Sequence, residues 1–188
     1  KASHNPQPSL MRSSALVLVG AAGVLTAAAY LLWRRRRAAR VIRSWPHGVE
    51  VRPSLIAGAG YGLFAVRKFA AGELLGTYRG RVLSLLQAHQ MAVEDRDYLM
   101  GGFGINAHVD ARFSLSAEGR YVNDNFDRSR LNAEFEKDRK ARVAHVVATR
   151  RIRAGEEIYA SYGETYWRAR GIDPDTGGQL EEANTKSR

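Results

Sequence analysis

The chain has 188 residues, enough for one ordinary domain with tails. Apolar residues make up 45% and charged ones 26%, which excludes wholesale disorder, and the absence of cysteine excludes disulfides, thiolate zinc sites and a cysteine nucleophile. The formal charge of +10 sits at the N-terminal end, because no acid precedes Glu50 and from residue 44 on 21 basic residues face 19 acidic ones. The chain opens on Lys1; Met11, followed by Arg12, reads as a natural start that leaves residues 1–10 as an extension, and residues 1–12 together read as an extension or disordered N-terminus. Residues 13–33 carry no charge, and as a helix at about 1.5 Å per residue they would span roughly the hydrocarbon core of a bilayer. Tyr30 and Trp33 end the run as interfacial aromatics do, and Arg34 to Arg37 follow at once. The pattern fits a single-pass membrane anchor whose following domain faces the cytosol. A signal peptide, with Ala27 and Ala29 as a small-x-small site, and an organelle transit leader are the alternatives; a cleaved leader would leave an organellar or nuclear protein. Residues 34–45 read as a basic linker, attractive to anionic lipid or simply solvated.

Short strands follow. Val49 to Val51 begins one, the cluster Gly58-Ala59-Gly60-Tyr61-Gly62 interrupts it, and Leu63 to Val66 resumes it. Ala71-Gly72-Glu73 reads as a turn, with Leu74 to Val82 as the next strand. Ser84 followed by Gln87 is a capping-box pattern that starts a helix running to about Met91. Further strands are expected at Ile105 to Val109, Ala144 to Thr149 and Glu157 to Tyr159. Residues 46–170 therefore read as a compact, mostly β domain with short helices, and 171–188 as a disordered polar tail.

Three clusters carry chemistry. The glycines at 58, 60 and 62 lead into a β-type run and no Lys-Ser pair follows, which rules out a P-loop or dinucleotide fingerprint. They either let the backbone approach a ligand closely or form a bulge or tight hairpin. In Gly119-Arg120-Tyr121-Val122-Asn123-Asp124-Asn125 the amides and carboxylate can grip a polar ligand or close turns on their own backbone. Tyr159 and Tyr162, with Tyr166 and Trp167 after them, are packing residues or phenols aimed into a cleft.

Jointly, the order and spacing of these clusters resemble the SET domain of protein lysine methyltransferases, from about Val49 to Trp167. Gly58 to Ala65 looks like that family's opening glycine motif, and Gly72-Glu73-Leu74-Leu75-Gly76-Thr77-Tyr78-Arg79-Gly80 like its G-E-x-I-x-x-Y-x-G strand pair. Val109-Asp110-Ala111 is similar to the central I-D-A. Arg120 to Asn125 stands where R-F-x-N-H-S is usual, and Gly155-Glu156-Glu157-Ile158 to Gly163 is similar to the G-E-E-L-x-x-D-Y-G close.

The resemblance implies a β-clip-like fold of small curved sheets with a knot-like crossing. It implies S-adenosyl-L-methionine as cofactor and a protein substrate with an exposed lysine, such as a histone, entering a channel from the opposite face. By the same resemblance Ala59, Gly60, Tyr61, Arg120, Asn123, Asp124 and Trp167 (or Tyr166) would bind the cofactor. Tyr162 would be catalytic, Tyr98 and Tyr159 would wall the substrate channel, and no metal is needed. The chemistry suits these residue types: methyl transfer to an amine is an in-line displacement in which positioning lowers most of the barrier. Lysine must first lose its proton, which costs about 4.6 kcal/mol at pH 7 for a pKa of about 10.4. A dry aromatic channel beside a positive sulfonium lowers that cost. Two positions depart from the family pattern: Asp124 replaces its histidine and Ser161 its aspartate. The flanking cysteine modules are absent. Retained fold without catalysis, as a binding module, is the alternative function. A basic nucleic-acid or lipid binder is a third, and the near-neutral domain speaks against nucleic acid there.

Overall fold

The computed structural model describes residues 43–180. The apolar run 13–33, the arginine block and residues 181–188 lie outside the described residues, and the expectations for an anchor, a leader and a lipid-attracting linker lie there with them. Among the described residues no helix is long and apolar enough to cross a membrane.

Among the described residues nine short strands form three three-stranded antiparallel sheets. In the first, β1 (Arg43–Trp45), β2 (Val49–Pro53) and β3 (Tyr61–Ala65) lie in chain order. In the second, β9 (Val143–Ala148) lies between β4 (Leu74–Tyr78) and β8 (Ala133–Asp138). In the third, β7 (His108–Asp110) lies between β5 (Arg81–Leu83) and β6 (Leu99–Met100). Strand alternation sets what each sheet buries. On β2, Val49 and Val51 are buried while Glu50 and Arg52 pair with each other; on β9, Ala144, Val146 and Ala148 point inward. All of these buried residues but Ala144 join Leu63, Phe69, Leu75, Val122, Ile152 and Ile158 in one core cluster. Each large apolar side chain so buried is worth about 1.5–3 kcal/mol against exposure. A second cluster of Tyr78, Phe103, Val109 and Ala144 lies under the third sheet, and Phe135 packs against both.

The helix α1 (Leu85–Gln90) begins at the expected capping box, with Ser84 Oγ accepting from the Gln87 amide and the Gln87 side chain accepting from the Ser84 amide. A second helix, α2 (Glu164–Arg168), follows Gly163.

Several boundaries differ from the sequence reading. Residues 43–45, assigned to the linker, are β1, paired to β2 through Arg43–Val51 and Trp45–Val49. The single strand expected from Leu74 to Val82 is two strands in different sheets. The chain breaks at Arg79-Gly80, where a Cβ on Gly80 would lie 2.0 Å from the Asp110 carbonyl oxygen, so only glycine permits the crossing. The strand expected from Ile105 begins only at His108, since Asn106 is occupied in capping α1 through the Leu85 amide. β8 was not foreseen, because Ala133–Asp138 is mostly charged and only its Phe135 signals a buried face. The start of the polar tail is also structured: Asp173 and Leu180 donate backbone bonds to Gly178 and Gly171, and Asp175 pairs with Arg128.

Glu157 to Tyr159 is not a regular strand. Its backbone lies between two others: Ile158 N donates to Leu63 O, while Ala160 N donates to Asn123 O and the Asn132 and Ala133 amides donate to Tyr159 O. Tyr159 forms a parallel bridge with Asn123, and Glu157 an antiparallel bridge with Phe64. This threading brings the glycine cluster, the asparagine motif and the terminal tyrosine motif, distant in sequence, to one place.

Candidate active site

Two buried carboxylates organise that place. Glu157, 3% exposed, accepts from Ser54 Oγ at 2.6 Å and Asn123 Nδ2 at 3.2 Å on one oxygen, and from the Leu55 amide at 2.7 Å and the Tyr159 hydroxyl at 2.9 Å on the other. Hydrogen bonds to a buried charge are worth about 1.5–3 kcal/mol each when made, and an abandoned donor costs as much. Asn123 also donates to the Tyr61 carbonyl at 3.0 Å, so the base of the glycine loop hangs on Glu157 and Asn123 together. The approach requires Gly62, whose Cβ would stand 2.1 Å from the Glu157 carboxylate.

Asp124, 9% exposed, holds the other side. Its Oδ2 accepts from the Tyr162 amide at 2.9 Å and from the Trp167 indole Nε1 at 2.8 Å, and its Oδ1 accepts from the Phe126 amide at 3.2 Å. The indole then lies 5.6 Å from the Tyr162 ring at an interplanar angle of 16°, and 4.4 Å from Phe126. Tyr166 meets Tyr162 edge-on at 4.9 Å. Aromatic pairs in such offset and edge arrangements gain about 0.5–1.5 kcal/mol beyond area burial.

On the far side of Tyr162 opens a cavity of about 1060 Å³. Its walls include Tyr78, Tyr98, Tyr162 and Tyr166, with Met100 and Phe135. The Tyr162 hydroxyl donates to the Val122 carbonyl at 2.8 Å and the Tyr78 hydroxyl to the Tyr98 carbonyl. Burial pushes the phenols of Tyr162 and Tyr78 well above the ordinary tyrosine value, helped in each case by a nearby carboxylate, Asp124 and Asp110 respectively. Both are therefore neutral throughout the physiological range. Arg120 lies over the Tyr98 ring at 4.2 Å and is fixed by the carbonyls of Ala111 and Arg112.

A family model described as SET domain matches residues 60–163, more than half of the chain. The chain belongs to the SET-domain family. No curated protein matches it. The β-rich architecture of small antiparallel sheets is that of a SET domain, a lysine methyltransferase type of fold.

The SET domain's expected site residues fall into three groups. Tyr98, Tyr162 and Arg120 line the cavity together. Ala59, Gly60, Tyr61, Asn123, Asp124 and Trp167 lie outside its lining, around the crossing and the glycine loop. Tyr159, expected in the channel, does not line the cavity: its hydroxyl is turned to Glu157 and reached by Arg130 at 3.4 Å, and its amide donates to Asn132 Oδ1. Its phenol is pushed up by burial and by Glu157. The parity of the segment explains this, since Tyr159 and Tyr162 are three residues apart in extended chain and point to opposite sides. Sequence reasoning missed Tyr78 as a cavity residue and Glu157 as the anchor of the glycine loop. Tyr78 was legible: it stands inside the Gly72–Gly80 motif on the same face as buried Gly76. Glu157 stands inside the Gly155–Gly163 motif, but its role was not legible there, because three of its four partners come from 54–55 and 123.

Proposed function

We propose that the protein is an S-adenosylmethionine-dependent protein-lysine N-methyltransferase, transferring a methyl group in line to a deprotonated lysine amine of another protein. The observation that carries this reading is the convergence of four tyrosines on one cavity, with the Tyr162 hydroxyl tied to the carbonyl next to Asn123 and Asp124. The residues present fit the cofactor. The Asn125 side-chain Nδ2 is buried with no partner among the described residues, while its Oδ1 accepts from the Asp127 amide, and a polar ligand end would be gripped there. Around the glycine loop no heavy atom of the described residues, apart from the adjoining residues of the chain, stands within 4 Å of where Cβ atoms on Gly58 and Gly60 would be, and Tyr61 is 49% exposed. Ala59, Gly60 and Tyr61 would hold the methionine end by backbone, with Asn123 and Asn125 beside them and Phe126 or Trp167 offering an aromatic face. Bound there, S-adenosylmethionine supplies an electrophilic methyl group.

The chain's own groups do the rest. Tyr78, Tyr98 and Tyr166 exclude water from an entering lysine, which disfavours its ammonium form. The Tyr162 hydroxyl, whose proton is committed to Val122, keeps its oxygen lone pairs for the amine and orients it. Asp124 replaces the family's histidine without leaving a carboxylate oxygen unpartnered, since both accept from N–H groups of the chain. That supports the enzyme over an inactive binding module. The apolar segment 13–33 with its arginine block is proposed to anchor the protein, domain to the cytosolic side.

The test uses the full chain, S-adenosylmethionine labelled on the methyl group, and a mixture of histones and cell extract. Transfer by the parent that disappears in Tyr162→Phe supports the enzyme. Cofactor binding by calorimetry with no transfer to any protein would favour the binding module.

A further inference from the structure

The mouth of the tyrosine cavity carries an unbalanced charge. Arg96, Arg120, Lys137 and Arg170 line it against Asp97 and Glu134. Three of the cations are already engaged: Arg170 pairs with Asp97 at 3.0 Å, Arg96 donates to the carbonyls of His89 and Met91, and Arg120 to those of Ala111 and Arg112. Lys137 has neither an ion pair nor a hydrogen bond among the described residues.

Its position follows from strand parity. On β8, Ala133, Phe135 and Lys137 share one face, and the first two continue the cavity wall. The ammonium lies over Gly102, 2.8 Å from where a Cβ would be, and 5.8 Å from the centre of the Phe103 ring. Partial burial and Arg139 both press its pKa downward, the mark of a cation lacking a counter-charge. His108, on β7, lines the same cavity and lies 3.4 Å from a Cβ on neighbouring Gly101. Its Nδ1 is buried without a partner among the described residues, and desolvation, with His89, presses its pKa downward; the neutral ring that this favours carries one N–H donor. Beyond Lys137 the β8–β9 turn adds exposed Arg139 and Lys140. The one acid there, Asp138, is turned back onto the amides of Lys140 and Ala141.

We propose that Lys137 and His108 form a carboxylate-binding subsite, so that this protein selects lysines with an aspartate or glutamate close by in the substrate chain. The inference rests on the methyltransferase reading for the role of the cavity. A carboxylate there gains a charge-assisted bond from the ammonium and a second from the imidazole, whereas an arginine or lysine meets like charge. An acidic side chain of the substrate suits the site better than an anionic membrane, because Lys137, although exposed to solvent, lines the same cavity as Tyr162, into which the substrate lysine would enter, with its ammonium beside Phe103.

The experiment measures binding of labelled short peptides to the full chain by anisotropy, and methyl transfer to the same peptides. Each peptide has one lysine flanked by glutamate, serine or arginine. The parent is expected to bind the glutamate peptide about five- to tenfold more tightly than the arginine peptide. Lys137→Gln should erase that preference and Lys137→Glu invert it. Equal affinities, or a preference for arginine in the parent, overturn the proposal even if all three peptides are methylated. The expected order and its inversion without methyl transfer uphold the subsite and remove the enzyme reading instead. If Lys137→Glu weakens binding to phosphatidylserine vesicles and leaves the peptide order unchanged, the cation belongs to a membrane contact and the proposal falls.

Discussion

Glu157 and Asp124 are both buried carboxylates whose oxygens are filled by donors, yet they hold different things. Glu157 collects its donors from Ser54, Leu55, Asn123 and Tyr159, so it ties three remote stretches of backbone into the crossing. Asp124 collects two backbone amides and one indole, all within reach of the cavity's end wall. The first fixes the fold on which the site depends, and the second fixes the aromatic rings of the site itself. Charge, burial and saturation alone do not tell a structural carboxylate from a positioning one; the identity of the donors does.

That contrast can be broken. Glu157→Ala removes the acceptor of four hydrogen bonds, and of the donors only Asn123 keeps another acceptor, the Tyr61 carbonyl; it should lower stability by about 4 kcal/mol, read from the urea midpoint. Gly62→Ala, forcing a methyl group onto the same carboxylate, should act in the same direction by about 1–3 kcal/mol. Tyr162→Phe should instead cost about a hundredfold in methyl transfer with a small change in thermal midpoint, since the ring stays and one hydroxyl bond is lost. A large loss of stability there would show that the phenol is a fold element.

Asp124→Asn and Trp167→Phe should each cost about 1–2 kcal/mol, with a coupling of about 1 kcal/mol between them in a double-mutant cycle, because they share one bond. Additive effects would mean that the carboxylate serves only the amides of Phe126 and Tyr162. The smallest effect concerns pH. The folded state holds the phenols of Tyr78, Tyr159 and Tyr162 neutral above their ordinary value of 10, so the unfolded chain loses these protons first. Their contribution to stability is then complete below about pH 10 and declines as pH rises further. Urea midpoints on either side of pH 10 check the sign, and Tyr162→Phe should flatten part of the decline.

Much of the molecule was legible before any coordinates. The capping box at Ser84 and Gln87 is local chemistry and was realised bond for bond. The ordered glycine, asparagine and tyrosine motifs indicated the fold class, because each depends on a backbone geometry that few residue types permit. Less legible were features decided by contacts across the chain. The break after Tyr78 comes from Gly80 passing the Asp110 backbone. The strand β8 is held by its register with β9, from Ala133–Ala148 to Asp138–Val143, and not by an apolar run of its own. Residues 171–180 looked like the start of a tail because their composition is polar; backbone bonds and the Asp175–Arg128 pair order them all the same.

The sequence by itself determined the family, the placing of the asparagine and tyrosine motifs, and the confinement of excess positive charge to the N-terminal residues, since these rest on residue type and spacing. Only the tertiary structure decided which tyrosines share a cavity. Tyr78 and Tyr98 come to stand with Tyr162, while Tyr159, three residues away along the chain, faces Glu157. A side chain's direction in extended backbone follows from where the strand is threaded, and that threading is fixed by buried carboxylates whose donors lie up to 103 residues away.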